Sequence, residues 1–152
     1  MSLNTAGIFA AMLSHGQSLG LFERVKGHEP KNAPGNGLSL AIWTKEIEPA
    51  VGSSGLNSTT GLITFSAMAL YPAFVEPQEE MEQALLSAVD ELIRAYSGDF
   101  TLGGMVRNVD LLNEHGAPLG ALFGYTLIDN TWYRQGTVTV PVVINDLWTE
   151  AP

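Results

Sequence analysis

The sequence contains no cysteine, and only 15 % of its 152 residues are charged. The absence of cysteine excludes disulfides, thiolate catalysis and cysteine-ligated zinc. The charged share lies well below the roughly 25 % of an ordinary soluble domain, whereas 45 % of the residues are apolar. Disordered chains have few apolar residues and many charged ones, which is the opposite composition. We therefore expect a single folded domain over residues 1–152, with part of its surface covered by copies of itself or by a partner.

Basic residues are also scarce, with 7 Lys and Arg against 16 Asp and Glu, which gives a net charge of −9. The cations are scattered along the chain rather than clustered: Arg24, Lys26, Lys31, Lys45, Arg94, Arg107 and Arg134. A protein that grips nucleic acid needs a cluster of cations to neutralise phosphates. We expect no sequence-specific nucleic-acid binding, although DNA can pass an acidic surface without adhering to it.

Long apolar runs and targeting signals are missing as well. The N-terminus has no cationic segment followed by an apolar one, as a signal peptide would have. The apolar stretches are too short and too interrupted to span a bilayer. The sequence predicts a soluble protein that is made in a cytoplasm and has no membrane partner.

No pattern that carries catalysis or binds a cofactor or metal stands out. The histidines are His15, His28 and His115, and none belongs to an HxxxH or HxxE motif. There is no GxSxG elbow, and the glycine-rich spots match neither phosphate-binding pattern. The carboxylates between Glu76 and Glu82 fit a solvated helix N-terminus better than a metal site, because the helix dipole favours them there. We predict a protein without enzymatic activity, cofactor or metal.

Alternating apolar and polar residues and two helical stripes define the predicted elements. Helices are predicted over residues 5–19 and 76–97, and strands over 22–26, 38–47, 62–71, 106–112, 119–128 and 131–145. Segments 27–37 and 51–61 are rich in Gly, Pro, Ser and Asn and are predicted as loops. Trp43 and Ile47 break the alternation of their strand and indicate a bend or cover on both sides. Asp129 and Asn130 fit a two-residue hairpin turn, and Pro141 predicts an edge or a bulge in the last strand.

The second helix has the clearest signature. Pro77 suits its first position, and an apolar stripe runs along it through Met81, Leu85, Leu92 and Tyr96. The stripe is wide enough to lie on a sheet. The predicted order α, β, β, β, α, β, β, β indicates an α+β fold, a mainly antiparallel sheet with one long and one shorter helix packed on it.

Two segments of the chain's second half point to a family. They read LLSAVDELIRAYSGDFTLGGMVRNVDLL and GYTLIDNTWYRQGTVTVPVVINDLW. The portion 79–148 resembles the tail terminator, or tail completion, proteins of long-tailed bacteriophages and prophages. The shared elements are an amphipathic helix, a turn at Gly103-Gly104, a strand, and a Gly-Tyr strand in a hairpin with a Val-rich strand.

The resemblance implies a structural α+β subunit that closes into a ring, usually of six copies, at the head-proximal end of the tail tube. Its partners would be itself, the tail tube protein and a head–tail connector protein, and it would be located in the virion tail after assembly in the host bacterial cytoplasm. We place the expected subunit interface on the sheet and its edges, at Arg107, Trp132, Tyr133 and Arg134. Arg134 is the expected partner of acidic groups on the neighbour.

Other functions are compatible with the same residues. Trp43, Trp132, Trp148, Tyr125 and Tyr133 could line an aromatic cleft in a small ligand-binding or enzymatic domain, or could instead form the core and subunit contacts. A different phage neck or tail-tube component would share the same composition.

Overall fold

The computed structural model describes residues 3–31, 37–50, 58–74, 76–111 and 118–149. Its elements are α1 (Thr5–Ser18), β1 (Arg24–Lys26), β2 (Ser39–Pro49), β3 (Ser58–Pro72), α2 (Gln78–Gly98), β4 (Asn108–Val109), β5 (Gly120–Ile128) and β6 (Thr131–Thr149). The order is the predicted one. Most of the predicted loop 51–61 lies outside the described residues, but Ser58 already belongs to β3, so that loop was predicted to end too late.

The strands form one six-stranded sheet in the order β1-β2-β3-β6-β4, and β5 also pairs with β6. Every pairing is antiparallel except that of β1 with β2. The 19-residue β6 is central: β3 lies along one side of it, and β5 followed by β4 lie along the other. The α+β architecture with a mainly antiparallel sheet is confirmed.

Both helices pack on one face of this sheet. The predicted stripe of α2 is buried, with Leu85, Leu92 and Tyr96 fully inaccessible to solvent. It shares one core with Ile8 and Met12 of α1 and with the alternate residues of β2, β3 and β6 that face the helices. The helices are also joined directly, because the hydroxyl of Tyr96 donates a 3.0 Å hydrogen bond to the carbonyl of Met12.

Two local irregularities of the sheet follow the sequence signals, whereas the shift in register between β3 and β6 near Asp146 had no sequence signal. Asp129 and Asn130 both have positive φ, as the predicted hairpin turn requires. The register of β2 shifts between Thr44 and Glu46, which is the bend that the broken alternation indicated.

Pro141 departs from its signal, because it lies neither at an edge nor at a bulge. It pairs with Thr64 in a continuous register with β3. Its carbonyl accepts from the amide of Asp110, so its nitrogen also points to the side of β4 and β5. Along β6 on that side, the residues paired with β5 extend as far as Thr139, and those paired with β4 are Val142 and Val143. The missing N–H of Pro141 therefore falls in the gap between two strands, where no ladder bond is lost.

Some boundaries differ from the predicted ones. The strand predicted over residues 106–112 is reduced to Asn108–Val109, and residues 112–117 lie outside the described part of the chain.

In the described residues, no helix is long and apolar enough to cross a bilayer.

Candidate subunit interface

The hairpin of β5 and β6 extends beyond the part of the sheet that α2 covers. Gly136 of β6 permits close approach by the helix, since a Cβ there would meet a methyl group of Val89 at 2.6 Å. Nearer the turn, residues on the same face of the sheet lack such cover. Tyr125 is 61 % exposed and Trp132 is 46 % exposed.

These side chains form a continuous aromatic surface with a neighbouring loop. Tyr125 and Trp132 line an open depression of about 490 Å³ together with Ala73, Phe74 and Gln78. Phe74 is the most exposed of these aromatic residues, at 75 %, and the exposed Leu127 lies directly opposite Trp132 in the hairpin register. We call Phe74, Tyr125, Leu127 and Trp132 the aromatic surface. Exposed apolar groups gathered in this way are typical of an interaction site.

Arg134 contacts the Tyr125 ring of this surface and links its hairpin to α2. Its Nε donates to Oε1 of Glu82 at 2.6 Å, and its Nη1 donates to the carbonyl of Gly124 at 3.0 Å. The guanidinium carbon lies 4.8 Å from the centre of the Tyr125 ring and 5.8 Å from that of Phe123. Both distances are within cation–π range. Arg134 thus holds the rings of β5 against the N-terminal half of α2.

Exposed carboxylates are concentrated at the N-terminal end of α2, which reaches the aromatic surface through Gln78. Glu79 and Glu80 lie in the first turn of α2, beside Gln78, which lines the depression. Both carboxylates are exposed, as is that of Glu76. The positive end of the helix dipole stabilises them there.

The other two expected interface residues lie elsewhere. The side chain of Tyr133 is only 2 % exposed and packs with Leu70 and Ile128 on the opposite face of the sheet. Any part that it plays at an interface would be indirect. Arg107 is exposed and donates from Nη1 to the side-chain oxygen of Asn145 at 3.3 Å. The structure therefore brings Trp132 and Arg134 to one region and places Tyr133 and Arg107 apart from them.

The strand β5 offers a backbone edge beside this surface. It pairs with β6 along Gly120–Ile128, and no other strand of the described residues pairs with it. At the opposite end of the sheet, β1 is the corresponding edge. Unpaired edges are sites at which a second chain can add.

A contact without any sequence signal joins the C-terminal ends of the two helices. Nε2 of His15 lies 2.9 Å from Oδ2 of Asp99, although the residues are 84 positions apart. The amide of Gly103 donates to Oδ1 of the same carboxylate at 3.0 Å. The Gly103 amide first, and then the hydrogen bond from His15, lower the pKa of Asp99. The His15 ring also packs edge-on against Tyr96, so the pair holds α1 against α2.

Within the residues described, no cluster of three or more His, Asp and Glu side chains is arranged to hold a metal ion. Among the described residues, the His15 ring has a hydrogen bond to Asp99 and an edge-on contact with Tyr96, and no hydroxyl is hydrogen-bonded to it. The described surface presents exposed aromatic rings, exposed carboxylates and the unpaired edge of β5.

Comparison with known proteins gives a limited result. No protein-family model matches the chain, and no curated protein matches it. Among solved structures, the chain is similar to the sheath/tube terminator of an extracellular contractile injection system, PVC, in its extended state. The two are 14 % identical with a TM-score of 0.37, and the match covers all of this chain and 61 % of the other. The chain thus spans about three-fifths of that protein's length, and the likeness is too low to bear on function.

Proposed function

We propose that this chain is a non-catalytic structural subunit of a phage tail. In this proposal, copies of the chain close into a ring, most simply a hexamer, at the head-proximal end of the tail tube. The ring stops growth of the tube and offers a surface to the head–tail connector. Assembly takes place in the host cytoplasm, and DNA passes through the ring without specific binding.

The aromatic surface is the observation that carries the proposal. A monomeric protein rarely leaves several large apolar side chains gathered at an open face, and aromatic residues are enriched where proteins meet. The resemblance of residues 79–148 to tail terminators gives the particular kind of assembly, and α2 together with the β5–β6 hairpin makes up most of that portion. The low charge content supports a surface that is partly covered in the assembled state.

A small-ligand site is the second candidate, and the depression between Phe74, Tyr125 and Trp132 favours it. Aromatic walls of this kind can bind a flat apolar ligand. Half or more of the Tyr125 ring and of Phe74 remains in contact with solvent, whereas a small-molecule pocket usually encloses its ligand. This openness favours a macromolecular partner.

Light scattering coupled to size-exclusion chromatography separates these functions. A discrete ring, formed alone or on purified tube protein, supports the terminator. A long polymer supports a tube component, and a monomer whose melting temperature rises with a small ligand supports the binding domain. The decisive genetic test is a phage that lacks this protein: tails of normal length that still join heads would overturn the proposal.

A further inference from the structure

Because the chain has a net charge of −9, self-assembly has to overcome repulsion between its copies. Two copies of an acidic protein repel one another unless the touching surfaces have complementary charge. The exposed Glu79 and Glu80 follow Gln78 of the depression at the start of α2, so cations on a partner surface would favour docking there. The chain has only 7 Lys and Arg in total, which restricts where that partner surface lies.

Strand β1 is the region that supplies such cations. Arg24 and Lys26 flank Val25, and both are exposed. The register pairs them with Ser39 and Ala41 of β2, so they project together from the face of the sheet opposite the helices. Arg94, in contrast, is already paired with Asp90 at 2.9 Å.

The surroundings of β1 also supply an apolar side chain. Leu21 is exposed just before the strand, whereas the exposed Ile47 of β2 pairs with Ile63 and lies on the face that carries the helices. Cationic and apolar side chains at this edge complement the aromatic and acidic side chains at the other. Lys and Arg are also the side chains that pack favourably on Trp and Tyr rings.

We propose, building on the proposed function, that the β1 edge of one subunit docks on the aromatic surface of the next. Arg24 and Lys26 face Glu79 and Glu80 of the neighbour, and the aromatic surface lies beneath them with Trp132 at its centre. The two surfaces lie at opposite edges of one sheet, so the contact is head-to-tail and each pair of subunits keeps one free surface of each kind. Such a contact closes into a ring when the rotation between subunits permits.

The two parts of this contact have different physical roles. Buried aromatic residues supply most of the affinity of an interface, so Trp132→Ala is expected to weaken association by roughly 30-fold or more. The exposed ion pairs act chiefly on the association rate and are screened by salt. Assembly is therefore expected to slow when the ionic strength is raised from about 0.05 M to about 0.5 M.

Two variants, each damaged on one surface only, test the direction of the contact. One carries Trp132→Ala with Glu79→Lys and Glu80→Lys, and the other carries Arg24→Glu with Lys26→Glu. Each alone is expected to remain monomeric under conditions in which the unmodified chain forms rings. Mixed together, they still share one intact pair of surfaces, so they are expected to give a heterodimer that cannot grow.

Two further variants complete the design. A chain with Glu79→Lys, Glu80→Lys, Arg24→Glu and Lys26→Glu exchanges the charges and is expected to recover ring formation. Arg94→Glu is the matched control for charge reversal away from both surfaces and is expected to assemble normally. Circular dichroism and thermal melting establish that every variant is folded. If the variant with Trp132→Ala is misfolded, it is replaced by the one that carries only Glu79→Lys and Glu80→Lys.

The outcomes separate this contact from the proposed function. If the unmodified chain forms rings and both damaged variants do so too, the contact is wrong while the ring stands. If the damaged variants mix without forming a heterodimer, the head-to-tail arrangement is wrong. If the unmodified chain forms no ring even on tube ends, the proposed function fails and this contact fails with it.

Discussion

Arg134 of β6 and Glu82 of α2 form an ion pair 2.6 Å long that ties the hairpin to the helix. The side chain of Arg134 is 17 % exposed, and that of Glu82 is 49 % exposed. Arg134 therefore has an acidic partner within its own subunit, and a role for it opposite a neighbouring subunit stays a prediction. Because Arg134 also packs against the Tyr125 ring, a substitution at Arg134 would alter the hairpin of its own subunit as well as any contact with a neighbour.

Reversal of the Arg134 charge is expected to disturb the subunit itself. Arg134→Glu would place two carboxylates together and release the carbonyl of Gly124, so faster hydrogen exchange is expected along β5. The double variant Arg134→Glu with Glu82→Arg restores the opposite charges and is expected to recover part of the protection. With Glu82 so exposed, the coupling between the two residues is expected to be about 1 kcal/mol or less. Unchanged exchange in Arg134→Glu would contradict this role.

Neighbouring leucines on α2 provide a matched test of the core. Leu85 is fully buried, whereas Leu86 is 59 % exposed. Leu85→Ala is expected to lower the free energy of unfolding by about 2–5 kcal/mol, because it leaves a cavity in the core. Leu86→Ala is expected to change it by roughly 0.5 kcal/mol or less. Urea denaturation of both variants measures the difference, and equal losses would contradict the orientation of α2.

The hydroxyl of Tyr96 is expected to contribute to stability through its bond to Met12. Tyr96→Phe removes one buried hydrogen bond and is expected to cost about 0.5–1.5 kcal/mol. Tyr125→Phe is the control, because its ring lies at the surface. A loss for Tyr96→Phe no larger than that for Tyr125→Phe would show that the bond between the helices is unimportant.

Burial also raises the pKa of the Tyr96 phenol well above its ordinary value. A raised folded-state pKa means that the neutral phenol favours folding. Its contribution is complete below the unfolded pKa of about 10 and is lost as the pH rises above that value. Absorbance titration of the tyrosines is expected to show one that ionises only when the protein unfolds in alkali. Reversible ionisation of all four tyrosines in the folded protein would contradict this.

Asp99 is expected to contribute to acid sensitivity. Its pKa is lowered in the folded state by the Gly103 amide and then by His15. The stabilisation is therefore present above the unfolded pKa of about 3.9 and is lost as the pH falls below it toward the folded value. Melting temperatures of Asp99→Asn are expected to depend less on pH in this acid range. His15→Gln is expected to flatten the profile only in part, since the Gly103 donor remains, and equal profiles for all three proteins would refute the assignment.

The sequence was sufficient for the order and type of every element because the periodic signals are local. The stripe through Leu85 and Leu92, the Asp129–Asn130 turn and the alternation of the long strands each depend on residues close in the chain. Pro141 was misjudged for the opposite reason. Whether a missing N–H matters depends on which strands lie beside it, and the gap between β5 and β4 is a property of the assembled sheet.

The candidate interface could be predicted only in part. Alternation along β6 puts Trp132 on the same face as Val138 and Val140, but the reach of α2 across the sheet decides that Trp132 is exposed there while those valines are buried. Tyr133 is aromatic and next in sequence, yet it lies on the other face in a small cluster with Leu70. The pair of His15 and Asp99 had no sequence signal, because its residues are brought together only when the two helices pack.

The long strand β6 also has a mechanical consequence. It runs from the hairpin tip into the core, and its continuous register with β3 from Tyr133 to Ile144 spans about 40 Å. A shift in register at Asp146, which has positive φ, precedes the last paired residues, Trp148 and Thr149. A pull applied to the aromatic surface along this strand would load the hydrogen bonds between β3 and β6 together, in shear, instead of opening them one after another. The subunit is therefore built to withstand tension along β6 far better than a force that peels β5 sideways from its edge.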